Sequence, residues 1–527
     1  LEIFNEYNKL RNSVETLAQL VEIRATIDTT DKFYEAERDF WDDFGPELDS
    51  LYSKFDEAMF NSKFKEELKK EIGEHYFNLI ESSLKVFSDE IIDDLKEENK
   101  LTSEYTKLTS SAKIPFDGGI HNLSGMAKYT QDANRETRLL ASQAVAKFFK
   151  ENLEQYDSIY DRMIKVRTRI AKKLGFDNFV EVAYLRLRRT DYNAKDVESY
   201  RKQIVETIVP ICNKLREEQR KRIGLDKLTF YDEPIFFKSG NPAPHGEKDW
   251  MLERAEKMYS ELSPETKEFF NFMKTKDLFD LDAKSTKAAG GYCTYLRNWR
   301  SPFIFANFNG TTHDVEVLTH EAGHAFQVFS SRDYIPEYTW PGMESAEIHS
   351  MSMEFFTWPW MDLFFEEEAD KFRYKHITHC LMFLPYGALV DEFQHVVYEN
   401  PELSPKERRE KYRELEKKYL PHRDYDGIKV LEEGGFWFRQ RHIYQMPFYY
   451  IDYTLAQVCA FQFWNKDRKD HKTAFADYLR LCKTGGTKPF LQLLEVAKLE
   501  NPFIYGIIKK AVEPIEEYLN SVDASKF

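Results

Sequence analysis

Cysteine, basic charge and uninterrupted apolar sequence are all in short supply in this chain. Its five cysteines, Cys212, Cys293, Cys380, Cys459 and Cys482, are odd in number, widely spaced and without a CxxC pair. That pattern argues against a disulfide framework or a cysteine-built zinc module and for free thiols in a reducing, cytoplasmic compartment. Lys and Arg total 75 against 90 Asp and Glu, a formal charge of −15. Such a balance keeps the protein soluble and opposes general nucleic-acid binding. The apolar stretches FWF, YGALV and the run from Phe355 to Phe365 are broken by charge well before the roughly eighteen residues that a membrane span needs. The opening LEIFNEYNKLRN has no basic-then-apolar export pattern. A P-loop, a dinucleotide fingerprint, a fixed-period repeat and a low-complexity tract are also missing.

What is present is 527 residues with 42% hydrophobic and 15% aromatic content, enough for two to four domains or one large body divided by a cleft. Apolar residues recur at three- and four-residue intervals among strong helix formers, as in YDSIYDRMIKVRTRIAKKL from Tyr156 to Leu174, so the chain reads as mainly α. Segments around Val14–Val21, Phe33–Phe44, Leu51–Ile72 and Leu79–Leu95 are expected to form antiparallel helices. From Leu101 to Gly119 the polar β-formers and a terminal Asp-Gly-Gly predict a small non-helical insertion. Two β-like segments, Tyr292–Leu296 and Phe303–Asn307, predict a hairpin just ahead of the strongest chemical motif. The second is a candidate platform for an extended peptide, with a purely supporting hairpin as the alternative.

That motif is HExxH at His320–His324, within TTHDVEVLTHEAGHAFQVFSS. On a helix, imidazoles four residues apart emerge from one face and can bind one ion together, while Glu321 beside them can take a proton from water as a general base. Thr311 and Asp314 have the spacing of a capping box at the helix start. Downstream, PGMESAEIHSMSMEFF supplies Glu344, Glu347 and Glu354. Glu347, twenty-three positions after His324, is the preferred third ligand of a single catalytic Zn2+, leaving one coordination position for water. Glu344 reads as a cap or surface residue. Glu354 falls on the face of Glu347 and reads either as an acceptor for a ligand imidazole or as an ordinary salt-bridge partner. His349 is expected to point away from Glu347, and His376 and His379 lack an evident carboxylate network.

The segments LTHEAGHAFQ (318–327), ESAEIHSMSMEFF (344–356) and HIYQMPFYYIDYTLAQ (442–457) together resemble the M3 family of zinc oligopeptidases, in particular its oligoendopeptidase F branch with the Pz-peptidase-like enzymes. The resemblance covers almost the whole chain and is strongest from about Leu139. It implies a mainly α, elongated body with a small β element and a deep substrate channel. The expected division is an N-terminal helical region at 1–138 and a catalytic region at 139–527, with two lobes built from non-contiguous segments. His320, His324 and Glu347 become the metal ligands and Glu321 the catalytic carboxylate. A distal histidine and tyrosines holding the carbonyl and stabilising the oxyanion direct attention to His442, Tyr450 and Tyr453. Tyr450 and Tyr453, three apart, share a helical face, whereas Tyr449 is expected to point elsewhere. Gly434 and Gly435 read as a mobile loop or as a helix stop.

These readings converge on hydrolysis of internal bonds in short, unstructured peptides, with collagen-derived peptides in the expected range and no nucleic-acid or membrane partner. A zinc carboxypeptidase and a catalytically silent peptide-binding scaffold are the alternatives. Oligomeric state and cleavage preference are not legible.

Overall fold

The computed structural model describes residues 1–527, and most of them are helical. The chain begins with two long helices, Glu2–Ile27 and Lys32–Phe60; Asp31 caps the second by accepting from the N–H groups of Phe33 and Tyr34. The second runs unbroken through Pro46, joining stretches that the sequence reading kept apart. A small satellite core containing Phe4, Met59, Tyr76 and Phe77 fastens these helices to Tyr338 of the later chain.

Residues 101–110 do not belong to an insertion. They complete the helix Ile92–Ser110, whose Leu101 and Tyr105 are fully buried. Burial of that four-residue-spaced pair overrides the weak helix propensity of the surrounding Thr and Ser. Only the end of the stretch is extended: β1 (Ile114–Phe116) and β2 (Gly119–His121) form a hairpin closed by Asp117 and Gly118, both at positive φ.

The second sheet has three strands in the order β3-β5-β4: Phe279–Asp282, Ser301–Phe308 and Tyr292–Leu296. β4 and β5 make the expected antiparallel hairpin, and β3 adds parallel to the other side of β5. This overturns the choice of Phe303–Asn307 as peptide platform. β5 is the central strand with both edges paired, so the free edges belong to β3 and β4.

After β5 the chain enters the helix Thr312–Ser330, which is buried on nearly every face and packs closely on Met343–Phe356. That second helix is covered in turn by Tyr450–Asp467. Three buried helices, with β4 and β5 beside the first, therefore bring distant motifs together. No helix is long and apolar enough to cross a membrane.

Candidate active site

The start of the motif helix is not a capping box: Thr311 makes no side-chain cap bond. The Asp314 carboxylate instead accepts from the backbone N–H of Asn309 and of Gly310, tying down the turn between β5 and the helix. Further along, Gly323 determines how near the next helix comes. A Cβ there would lie 2.6 Å from Ser350 Cα and 2.7 Å from the His349 carbonyl oxygen, so only glycine admits this approach.

The approach aligns Glu347 with both motif imidazoles. Its Oε2 lies 3.2 Å from His320 Nε2 and 3.3 Å from His324 Nε2, and the three atoms can share one ion. Ser350 Oγ donates to the same carboxylate at 2.9 Å, and Glu347 is 1% exposed. Three donor atoms converging in a buried place bring lone pairs together, which a central cation relieves. Two nitrogens and one oxygen, open on the cavity side, suit zinc. Glu321 borders the same space with Oε2 unpartnered. Burial raises its carboxyl above the ordinary value, against the opposing pull of His320 and His324.

A chain of hydrogen bonds behind His320 orients it. Trp358 Nε1–H donates to His376 Nδ1 at 3.0 Å. An indole nitrogen can only donate, so His376 Nδ1 accepts and its Nε2 carries the proton, which it gives to Glu354 Oε2 at 2.7 Å. The other oxygen of Glu354 faces His320 Nδ1 at 2.7 Å. His320 therefore donates from Nδ1 and keeps its Nε2 lone pair for the ion position. The expectation that His376 lacks a carboxylate network is overturned: Glu354 lies on a different helix, and the connection exists only across the packed pair. His379 is not in this chain of bonds; it lines a side cavity.

Opposite stand the distal residues. Gln440 Nε2 donates to His442 Nδ1 at 2.7 Å while its Oε1 accepts from Tyr386. His442 Nε2–H then faces the Tyr453 oxygen at 3.3 Å, which frees the tyrosine proton for another acceptor. Burial, assisted by Arg441, pushes His442 down to about 3, so it works as a neutral donor. Tyr450 lines the side cavity, its ring edge-on to Phe383 and Tyr386.

The expectation for Tyr449 is wrong. Its hydroxyl donates to Glu347 Oε1, and its ring lies 4.9 Å from that of Tyr453. The i, i+4 spacing of Tyr449 and Tyr453 was the available signal. Of the two readings of Glu344, the surface one falls: it is 2% exposed, in the first turn of its helix, and burial and the neighbouring Asp452 hold its carboxyl well above the ordinary range. His349 is fully buried away from the cavities and pushed down to about 3 by burial. Gly434, at φ 84°, ends the short helix Lys429–Glu432 against the Arg409 backbone, where a Cβ would come within 2.0 Å of a carbonyl oxygen, which fits the helix stop.

The three convergent donor atoms face a cavity of about 540 Å³ lined by Gly291–Thr294 along β4 and by Trp340, Arg441, His442, Tyr449 and Tyr453. A side cavity of about 310 Å³ adjoins it through His320, Glu321 and His442. A third, of about 480 Å³, shares Trp340, Met343, Gln445 and Met446 with the first. Sharing these walls, the three lie side by side as a trough past the convergent donors.

Residues 1–87 match the family model Peptidase M3 N-terminal domain, and residues 259–512 match Peptidase family M3. Among solved structures, PZ peptidase A with inhibitor 2 is 54% identical, with a TM-score of 0.99 over 99% of this chain and 93% of that one. The oligoendopeptidase F homolog of Borreliella burgdorferi (strain ATCC 35210 / DSM 4680 / CIP 102532 / B31) is 24% identical over 434 residues, 77% of this chain and 71% of that protein. The oligoendopeptidase-F structure from Enterococcus faecium, 16% identical over 98% of this chain and 91% of that one at a TM-score of 0.67, is alike in fold.

Proposed function

The chain belongs to peptidase family M3 and is a metalloendopeptidase acting on oligopeptides, and we propose that its metal is one zinc ion held by His320, His324 and Glu347. The convergence of His320 Nε2, His324 Nε2 and Glu347 Oε2 beside an unpartnered Glu321 carboxylate carries this reading. Zinc there supplies Lewis acidity, lowering the pKa of water and polarising the scissile carbonyl.

The chain's own residues do the rest. Glu321 takes the proton from the attacking water and returns it to the departing amine, its unpartnered Oε2 bordering the same space. Tyr453, whose hydroxyl proton is left free by the His442 contact, donates to the oxygen of the tetrahedral carbon, with Tyr450 and His442 as neighbouring donors. Tyr449 holds Glu347 in place. The β4 edge at Gly291–Thr294 pairs with the peptide backbone and lays it across the donors in extended form.

A trough with walls on both sides admits extended chains and resists folded domains, which must first unfold a segment at a conformational cost. Collagen-derived peptides, extended and coreless, belong among the candidate substrates. Five unpaired thiols, four of them buried, favour a reducing, cytoplasmic setting. The test is a defined peptide library incubated with the zinc-loaded and the metal-stripped protein, with cleavage sites mapped by mass spectrometry. Internal cleavage that disappears on stripping and returns with zinc is expected. Removal of C-terminal residues alone would convert the reading to a carboxypeptidase.

A further inference from the structure

Where the N-terminal helix meets the trough, the ion pairs leave one guanidinium over. Arg11 Nη1 pairs with Glu337 Oε1 at 2.6 Å, and Arg297 pairs with Glu15. A third guanidinium, Arg188, stands beside these pairs, yet no carboxylate lies within salt-bridge distance of it and its side chain makes no hydrogen bond. It lies just past the helix Phe179–Arg186 with φ at 60°, a left-handed backbone that a non-glycine residue adopts only at a cost. Arg188 is exposed and lines the 480 Å³ cavity, which shares Trp340, Met343, Gln445 and Met446 with the one over the convergent donors.

The acidic side chains on the facing helix do not fill the gap. Asp49 and Asp56 approach from Lys32–Phe60, but neither lies within salt-bridge distance of Arg188, and burial lifts the Asp56 carboxyl to about 7. His75, pushed down to about 4 by burial, is uncharged. Arg188 is left without a carboxylate partner on the side that faces the trough.

We propose that Arg188 is a carboxylate-binding subsite of the trough, taking the free C-terminal carboxylate of a short peptide while the scissile bond lies at the metal. The proposal rests on the peptidase reading and adds a substrate class: peptides with a free C-terminus at a set distance from the cleaved bond. An arginine fork binds a carboxylate through paired, charge-assisted hydrogen bonds. A folded protein cannot bring its terminus there, so the subsite also reinforces selection for short substrates. An Asp or Glu side chain offers the same chemistry, and the experiment separates the two sources.

One well-cleaved peptide is prepared as free acid, as C-terminal amide, and as amides carrying a single Asp at successive positions. Each is measured with the wild type, Arg188→Gln and Arg188→Lys for kcat, KM and cleavage position, and for equilibrium binding to the metal-stripped chain. The wild type should prefer the acid over the amide by about ten- to a hundredfold, mainly in KM. That ratio should fall to about one in Arg188→Gln and recover in part in Arg188→Lys. A preference seen only for particular Asp amides, and lost in Arg188→Gln, supports the subsite and assigns it to a side-chain carboxylate. Equal binding of acid, amide and Asp amides by the wild type overturns the proposal, as does a preference that survives Arg188→Gln. The binding arm reports on Arg188 even if no bond is cleaved, in which case it is the peptidase reading that falls.

Discussion

Glu354→Gln isolates the hydrogen-bond chain behind the metal position. The carboxylate accepts two N–H groups, His320 Nδ1 and His376 Nε2, each at 2.7 Å. An amide has one acceptor oxygen, so its NH2 must face one of the two imidazoles, donor against donor. His376 cannot yield by changing tautomer, because Trp358 Nε1–H occupies its Nδ1. The accommodating ring is His320, which would move its proton to Nε2 and lose the lone pair it directs at the ion. Zinc binding must then reverse that tautomer, leaving the Nδ1 donor unsatisfied. Removing such support typically weakens metal affinity by about 10- to 100-fold, or about 1.4–2.7 kcal/mol. The assay is chelator competition for zinc on wild type and variant, with thermal unfolding of the metal-stripped forms to separate affinity from stability. Trp358→Phe is the companion change: it frees His376 to flip and should weaken zinc binding less. Unchanged zinc affinity in Glu354→Gln would refute the reasoning, since the orientation of His320 would then be maintained without the chain of bonds.

Glu321→Gln should cut kcat by about 10²- to 10⁴-fold while zinc content, measured in parallel, is largely retained. Tyr453→Phe should lose roughly tenfold to a thousandfold in kcat with zinc affinity unchanged, whereas Tyr449→Phe, which releases Glu347 Oε1, should weaken zinc binding; equal effects on both readouts would contradict this division. Gly323→Ala should destabilise by about 1–3 kcal/mol, read from thermal unfolding, and displace Glu347 from the histidines, because the added carbon meets the backbone of Ser350. Glu98, bonded to Arg167 and Arg186 and held at about 2 against the opposing effect of burial, contributes stability that is complete above the ordinary carboxyl value of 4.5 and is lost as pH falls through about 2. Glu98→Gln should accordingly cost about 3–5 kcal/mol near neutrality, and the gap in unfolding temperature should narrow below pH 4.5.

Legibility followed sequence distance and periodicity. The convergence of His320 and His324 was readable because residues four apart on one helix share a face without tertiary information, whereas the approach of Glu347 to them required the packing of a second helix. The helices and the β4–β5 hairpin were likewise local. Tyr449 could have been recovered from its four-residue spacing to Tyr453, had a neighbouring pair not been preferred.

The remainder depended on contacts between separate elements. That Phe303–Asn307 lies in the middle of the sheet follows from β3 joining β5, a pairing that local pattern does not encode. The path from Trp358 through His376 and Glu354 to His320 exists because one helix packs on another, and Gly323 matters only because Ser350 is there. The uncompensated Arg188 was invisible because counting charges along a chain does not reveal which ones find partners. By itself the sequence determined the pair of imidazoles on one helix face and the helical class, which depend on residue type and spacing. Tertiary structure alone decided ligand orientation, the free strand edges and the charge of the trough, because each depends on which distant groups are brought within hydrogen-bond range.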